Sequence, residues 1–225
     1  MDVERFAAAL PELFDDFPRS EHPRGRRFDD VIAGVPNLAE ENVLALLNLA
    51  ASLLAPGESY VEVGTYYGAS LIGAMRGNHG DFVAVDAFSF SPMAVKGREL
   101  PAASRTGLEE NLRRFGAEGA TILEGDAFEL LEGGALGDRR IGVYYYDGPH
   151  GYEEQMRGLR VVEPWLAEEA LLVVDDHDWE RVGHATRDYL AQQPRARLLL
   201  EIGGSTRGGP QWWEGMAILG WSGEG

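Results

Sequence analysis

Six acidic residues in this chain follow short apolar runs: Glu62, Asp86, Asp126, Asp147 and the adjacent pair Asp175 and Asp176. A charge inside a buried strand is costly, so acids belong at strand ends. That accounts for one or two of them. It does not account for all of them gathering on the carboxyl edge, where an open α/β sheet binds its ligand. The first acid lies in YVEVGTYYGAS (60–70), which reads as a strand, a sharp turn at Gly64 and a helix entered near Gly68. Glycine has no Cβ, so backbone and ligand can approach closely there. Asp86 follows Gly64 by about 20 residues, the spacing at which an acid ending the second strand can hydrogen-bond both ribose hydroxyls. A carboxylate with two acceptor oxygens matches a vicinal diol. The glycines form G-x-x-x-G, without the middle glycine of the dinucleotide pattern G-x-G-x-x-G. Tyr66 and Tyr67 stand where a pyrophosphate would lie, which disfavours NAD and FAD and suits a nucleoside without phosphate.

Hydrophobic periodicity supplies the elements that position these residues. Residues 3–17 read as helix bent or restarted at Pro11, and 19–30 as a polar loop. Asn37 and Glu40 resemble a capping pair that opens a leucine-rich helix to about Leu54. Strands are expected at 60–63, 82–86, 121–125, 141–147 and 170–176. Helices are expected at 69–75, 104–115, 127–131, 152–168 and 180–191. The runs 196–202 and 215–221 are joined too briefly for a crossover helix and should pair antiparallel. Strands alternating with helices imply an α/β fold, a Rossmann-like doubly wound seven-stranded sheet, mostly parallel with one antiparallel strand near the C-terminus.

Composition narrows the function classes. The chain has 225 residues, 44% hydrophobic and 25% charged, which suits one α/β domain with an extension. A formal net charge of −17 disfavours nucleic acid and anionic membranes as partners. There are no cysteines, so thiolate nucleophiles, disulfides and Cys-based metal sites are excluded. No stretch approaches the ~20 apolar residues of a bilayer span. The acidic opening residues lack a signal-peptide pattern, and we expect a cytoplasmic protein.

The segment Glu62–Ser70, Asp86, and Glu124-Gly125-Asp126-Ala127-Phe128, in this order at successive strand ends, resemble the class I S-adenosylmethionine-dependent methyltransferases over roughly residues 40–221. The resemblance implies that the first segment wraps the amino-acid part of S-adenosylmethionine, that Asp86 binds the ribose, and that Asp126 lies near the adenine amine. It assigns cofactor contacts to Glu62, Gly64, Thr65, Tyr66, Gly68, Ser70, Asp86, Asp126, Ala127 and Asp147.

A narrower resemblance begins at Tyr146. YDGPHGYEEQMRGL and LLVVDDHDW are similar to segments of catechol-type and macrolide or aminocoumarin sugar O-methyltransferases. These imply Mg²⁺ held by Asp147, Asp175 and Asp176, whose hard oxygens suit that ion. His150 stands where the catechol-type enzymes carry a lysine base, so the resemblance implies catalysis by His150 with Asp147. The residues alone leave other roles open. Asp175 and Asp176 could cap the following helix. His150 could only orient substrate. Trp212 and Trp213 could wall the pocket or pack the last strand.

We therefore expect an O-methyltransferase acting on a hydroxyl of a small molecule, a sugar or an aromatic or polyketide metabolite. A metal-independent N- or O-methyltransferase and a non-catalytic cofactor-binding subunit remain as alternatives. Residues 1–36 are expected to form a helical extension or lid on a methyltransferase domain at 37–225. Their apolar helices suggest a homodimer interface.

Overall fold

The structure is a computed structural model that describes residues 1–223. In chain order the elements are α1 (Val3–Ala9), a 3₁₀ turn (Leu10–Leu13), α2 (Asp29–Gly34), α3 (Glu41–Ser52), β1 (Glu58–Val63), α4 (Ala69–Met75) and β2 (Asp81–Asp86). Then come β3 (Met93–Val95), β4 (Arg98–Leu100), α5 (Arg105–Phe115), β5 (Thr121–Glu124), α6 (Ala127–Glu132) and β6 (Arg140–Tyr146). The chain continues through α7 (Tyr152–Val161), β7 (Leu166–Val174), α8 (Glu180–Gln192), β8 (Ala196–Ile202) and β9 (Met216–Ser222). Seven strands form one sheet in the order β5-β2-β1-β6-β7-β9-β8. The pairs among β5, β2, β1, β6 and β7 are parallel, and β9 runs antiparallel to both of its neighbours. This is the expected doubly wound sheet.

Successive side chains of a strand face opposite ways, and the central strands use this to build two cores. In β6, Val143 and Tyr145 join the core that contains α1 to α4, while Tyr144 and Tyr146 join the one that contains α7 and α8. The N-terminal segment belongs to the first core. Val3, Phe6, Leu10 and Phe14 are buried with Leu171 and Ile218 of the sheet. Phe14 packs against Phe17 and Trp212, with ring centroids 5.5 Å apart in each pair. The apolar helix that suggested a dimer is thus covered by its own chain. No helix among the described residues is long and apolar enough to cross a membrane.

Two local readings change, and one element is added. The helix expected to reach residue 168 ends at Val161, because Pro164 cannot donate into a helical ladder. A 3₁₀ turn at Glu163–Trp165 follows, and β7 starts earlier, at Leu166. Asn37 does not cap α3. Its amide donates to the carbonyls of Ile32 and Val35, and Glu40 pairs with Arg98. Residues 93–100 form a separate hairpin of β3 and β4. Its turn residues Lys96 and Gly97 have φ of 49° and 77°, the positive values that a two-residue I′ turn needs.

Among the described residues, one carboxyl side chain is wholly without exposed surface. Glu62 of β1 is fully buried and accepts from the hydroxyls of Tyr60 at 2.9 Å and Ser70 at 3.2 Å. Loss of solvation raises its pKa to about 7, from an ordinary value of 4.5. Between those values the folded chain holds the proton that the unfolded chain has released, so this group makes stability fall as pH rises. Above about 7 the full cost persists.

Two predictions follow from this packing. Phe14→Ala should lower unfolding stability by about 3–5 kcal/mol, independent of protein concentration. A urea midpoint that moves with concentration would instead place the segment between two chains. Glu62→Gln should be more stable than the parent at about pH 8, with the gain vanishing near pH 4. An equal difference at both pH values would show that Glu62 does not carry this cost.

Candidate functional site

The site begins at backbone level, where neighbouring strands end together. Gly64 N donates to Val85 O at 2.9 Å, Asp147 N to Val63 O at 2.9 Å, and Asp175 N to Tyr146 O at 3.1 Å. The ends of β2, β1, β6 and β7 are thereby held in one row. Above them opens a cavity of about 540 Å³, within the usual range for small-molecule sites.

One half of the cavity is the glycine turn and the second strand end. Gly64 has φ +86°, and a Cβ there would stand 1.9 Å from the carbonyl oxygen of Asp147. Gly68 has φ +89° as the N-cap of α4, where a Cβ would meet Leu108 at 2.5 Å. Only glycine fits either place. Thr65, Tyr66 and Ser70 line the cavity between them. The Asp86 carboxylate accepts from Tyr66 N at 2.7 Å on one oxygen and from Phe88 N at 2.6 Å on the other. Each oxygen keeps a further lone pair for a ligand. Asp126 caps α6 by accepting from Glu129 N at 2.9 Å, and it lines the cavity with Ala127. Glu62 lies outside the lining, behind Ser70. The two tyrosines divide. Tyr66 faces the cavity, whereas the Tyr67 ring packs onto Gly107 of α5.

The other half carries the acids and the histidine. His150 Nε2 is 3.0 Å from Asp176 Oδ2 and 3.8 Å from Asp147 Oδ1. Ligand atoms of these three residues all lie within 4.8 Å of one another. Asp175 also lines the cavity but turns away from this group. One of its oxygens accepts from the Tyr145 hydroxyl and the other from Asp176 N. The expected trio Asp147, Asp175 and Asp176 is therefore built as Asp147, His150 and Asp176, with Asp175 behind them. Neither Asp175 nor Asp176 caps the next helix, whose N-cap is Trp179.

Burial dominates the electrostatics. Loss of solvation, then Asp175 and Asp176, push the Asp147 carboxyl well above its usual range. Its side chain keeps 35% of its surface, facing the cavity, but is otherwise ringed by protein. Burial, then Asp175, raises Asp176 to about 8, and burial raises Asp175 to about 6. Burial lowers His150 to about 4, so the imidazole is neutral near pH 7. Asp176 Oδ1 has no hydrogen-bond partner although Asp176 is buried. A buried carboxylate oxygen without a donor is costly, and two raised acids beside it fit a divalent cation with hard oxygen ligands.

Other residues complete the wall or lie away from it. Trp213 lines the cavity while Trp212 is fully buried, its indole N–H donating to Pro18 O at 2.7 Å. The tryptophan pair thus splits between wall and core. His177 is buried and lies outside the lining, 3.8 Å from Glu201. Arg24, Arg26 and Arg27 do not reach the cavity; Pro36 is the one lining residue from the first 36. The hairpin closes that side instead. Lys96 pairs with Glu214 and lies 4.0 Å over the Trp213 ring, and Arg98 binds Asn37, Ala39 and Glu40. The sequence signal was Lys96-Gly97 directly after the apolar run Met93-Ala94-Val95.

The comparisons with known proteins agree with this geometry. The chain has the fold of an O-methyltransferase from Bacillus cereus solved in complex with SAH (14% identity, TM-score 0.60, covering 97% of this chain and 99% of that one). It also has the fold of TomG from Streptomyces achromogenes, an O-methyltransferase involved in tomaymycin synthesis and solved with SAM (16%, TM-score 0.62, 99% and 100%). SAH-bound PaMTH1, a methyltransferase from Podospora anserina, is similar at 14% identity and TM-score 0.60, covering 99% and 97%. No curated protein sequence matches the chain. A methyltransferase-domain family model matches residues 61–177, which span β1 through the Asp175–Asp176 pair and its following His177. With the glycine turn and the strand-end acids all inside that stretch, which covers more than half of the chain, the chain belongs to the methyltransferase-domain family.

Proposed function

We propose that the protein is an S-adenosylmethionine-dependent O-methyltransferase acting on a hydroxyl of a small molecule, assisted by Mg²⁺. The observation that carries this reading is one cavity whose two halves hold different chemistry. Asp86, Asp126 and the Gly64–Gly68 turn suit a nucleoside, and Asp147, His150 and Asp176 suit a hydroxyl that must lose a proton. The B. cereus and S. achromogenes O-methyltransferases, solved with SAH and SAM, support the donor assignment.

In this reading the free lone pairs of Asp86 accept from the ribose hydroxyls, and Asp126 accepts from the adenine amine. Gly64 and Gly68 leave room for the amino-acid end, and the Tyr66 ring walls it. When bound, the donor supplies a methyl group on a sulfonium, which passes to the acceptor oxygen as the C–S bond breaks and leaves a neutral thioether. Asp147 and Asp176 are the residues that would hold Mg²⁺, with Asp175 fixing Asp176 from behind. The ion would supply a Lewis acid that lowers the pKa of the acceptor hydroxyl. His150 is the residue that would take the hydroxyl proton at Nε2; Asp176, raised to about 8, donates its own proton to that nitrogen across their 3.0 Å contact, and holding the ion would take that proton away and free Nε2. The acids beside it stabilise the imidazolium that forms. Positioning the acceptor oxygen in line with the methyl group supplies a large share of the rate.

A second reading keeps the fold and donor without the ion. It is favoured by the 3.0 Å approach of His150 Nε2 to Asp176 Oδ2, which lets the pair take a proton together.

One measurement tests the base common to both readings, and a second separates them. His150→Ala should lower kcat by about 10²–10⁴ with the affinity for S-adenosylmethionine unchanged by calorimetry; unchanged turnover would remove the base. Chelator-treated protein should lose turnover and regain it with Mg²⁺, whereas full turnover in chelator would select the metal-free reading.

A further inference from the structure

Of the 20 lysine and arginine residues in the chain, only Lys96 is a lysine. It stands in the turn of the hairpin over the cavity, with φ of 49°. Its ammonium pairs with the Glu214 carboxylate, donates to Ser205 Oγ at 2.9 Å and lies 4.0 Å over the Trp213 ring. All three partners belong to the loop between β8 and β9. A compact ammonium with three donors can meet a carboxylate, a hydroxyl and a ring face at once. The hairpin does not need this contact to stay in place. Arg98 anchors its second strand to Asn37, Ala39 and Glu40.

Glu214 is the partner that bears on the site. Its backbone is fixed beside the end of β7, where Asp178 N donates to Glu214 O at 2.8 Å and His177 N to Gly215 O at 3.1 Å. Its side chain keeps 12% of its surface and lines the cavity with Asp147, Asp175 and Asp176. After burial, Glu214 adds to the rise of the Asp175 carboxyl; after burial and Asp175, it adds to that of Asp176, which Lys96 opposes. The acceptor half thus carries a further carboxylate, and the chain's single lysine holds it.

We propose that Lys96 is a positioning residue that withholds the Glu214 carboxylate from a cation at Asp147 and Asp176, so that the ion keeps its remaining positions for water and the acceptor. This rests on the Mg²⁺ reading above. Mg²⁺ is octahedral, and sites that use it for chemistry supply one or two carboxylates and leave other positions open. An added carboxylate binds the ion more tightly and closes a position. Glu214 has the hard oxygens that the ion prefers and faces the same cavity. Unpaired, it would be drawn to the ion; the Lys96 ammonium gives it another partner.

The test uses the full chain saturated with S-adenosylhomocysteine, titrated with Mg²⁺ by calorimetry and with Mn²⁺ by water-proton relaxation. Lys96→Met keeps the stem and removes the charge. It should bind Mg²⁺ at least about tenfold more tightly than the parent. Its bound Mn²⁺ should lose relaxivity as Glu214 displaces water, and turnover should fall. Adding Glu214→Gln to Lys96→Met should return the Mg²⁺ affinity and the relaxivity to the parent values. Lys96→Arg keeps a cation that pairs with a carboxylate, and its Mg²⁺ affinity should stay within about threefold of the parent. Affinity for S-adenosylhomocysteine should be the same in every variant. The proposal is overturned if Lys96→Met binds Mg²⁺ no more tightly than the parent. It is overturned equally if the relaxivity is unchanged, which would reduce the effect to a removed charge. Loss of S-adenosylhomocysteine binding in Lys96→Met would overturn it too, making Lys96 a prop for the whole cavity. A parent chain that binds no Mg²⁺ would bring down the metal reading, and this proposal with it.

Discussion

The site depends on one close approach, that of Gly64 to the carbonyl of Asp147. β1 and β6 are parallel neighbours, so their carboxyl ends emerge side by side. The chain leaves β1 through a left-handed turn and passes so near Asp147 that a methyl group on Gly64 would overlap its carbonyl oxygen at 1.9 Å. No L-residue with a side chain tolerates both that φ and that distance. Because the strands touch there, the turn that suits the donor and the acid that faces the acceptor share one wall. Widening that contact would separate the two halves of the cavity, and orientation is what such a reaction draws on most.

Backbone strain gathers around the same cavity. Tyr66, Asp176 and Trp213 line it with φ of 51°, 52° and 54°, and Phe88 and Lys96 are adjacent to lining residues with φ of 49° each. Such conformations cost about 1 kcal/mol or more apiece and persist only where surroundings fix them. The fixing groups are visible. Asp86 accepts from the amides of both Tyr66 and Phe88, so one carboxylate holds two strained residues. Asp178 accepts from Gly204 N at 3.0 Å, Thr206 Oγ1 at 2.5 Å and Arg207, which clamps the loop carrying Trp213 and Glu214. Arg207 in turn holds the Asp178 carboxyl below its usual range against the effect of burial. Asp147, Asp175 and Asp176 have no guanidinium of this kind, and theirs are raised by burial.

Much of this was legible in the residues. Apolar runs of four to seven and the helical stretches between them set the sheet, because a buried parallel strand must be apolar on both faces. Gly116 marked the end of α5, with φ of 69°. The acids at strand ends mapped the edge where the cavity opens. What stayed hidden depends on distances between segments far apart in sequence. Whether Asp175 or His150 completes the group with Asp147 and Asp176 rests on the Tyr145 hydroxyl, which takes one Asp175 oxygen from the neighbouring strand. Glu62 looked like a ligand contact because it sits in the turn motif, yet Tyr60 and Ser70 hold it behind the wall. The hairpin has one apolar cross-strand pair, Met93 with Leu100, too short a pattern to announce a strand. Its place over the cavity comes from Lys96 and Arg98 reaching residues more than fifty positions away.

The central claim is that donor and acceptor meet across the Gly64–Asp147 wall in one cavity. A crystal structure with S-adenosylhomocysteine bound tests it most directly. The account predicts both ribose hydroxyls on the Asp86 carboxylate and the thioether sulfur facing Asp147, His150 and Asp176. A ribose away from Asp86, or a sulfur turned from those three residues, would contradict it.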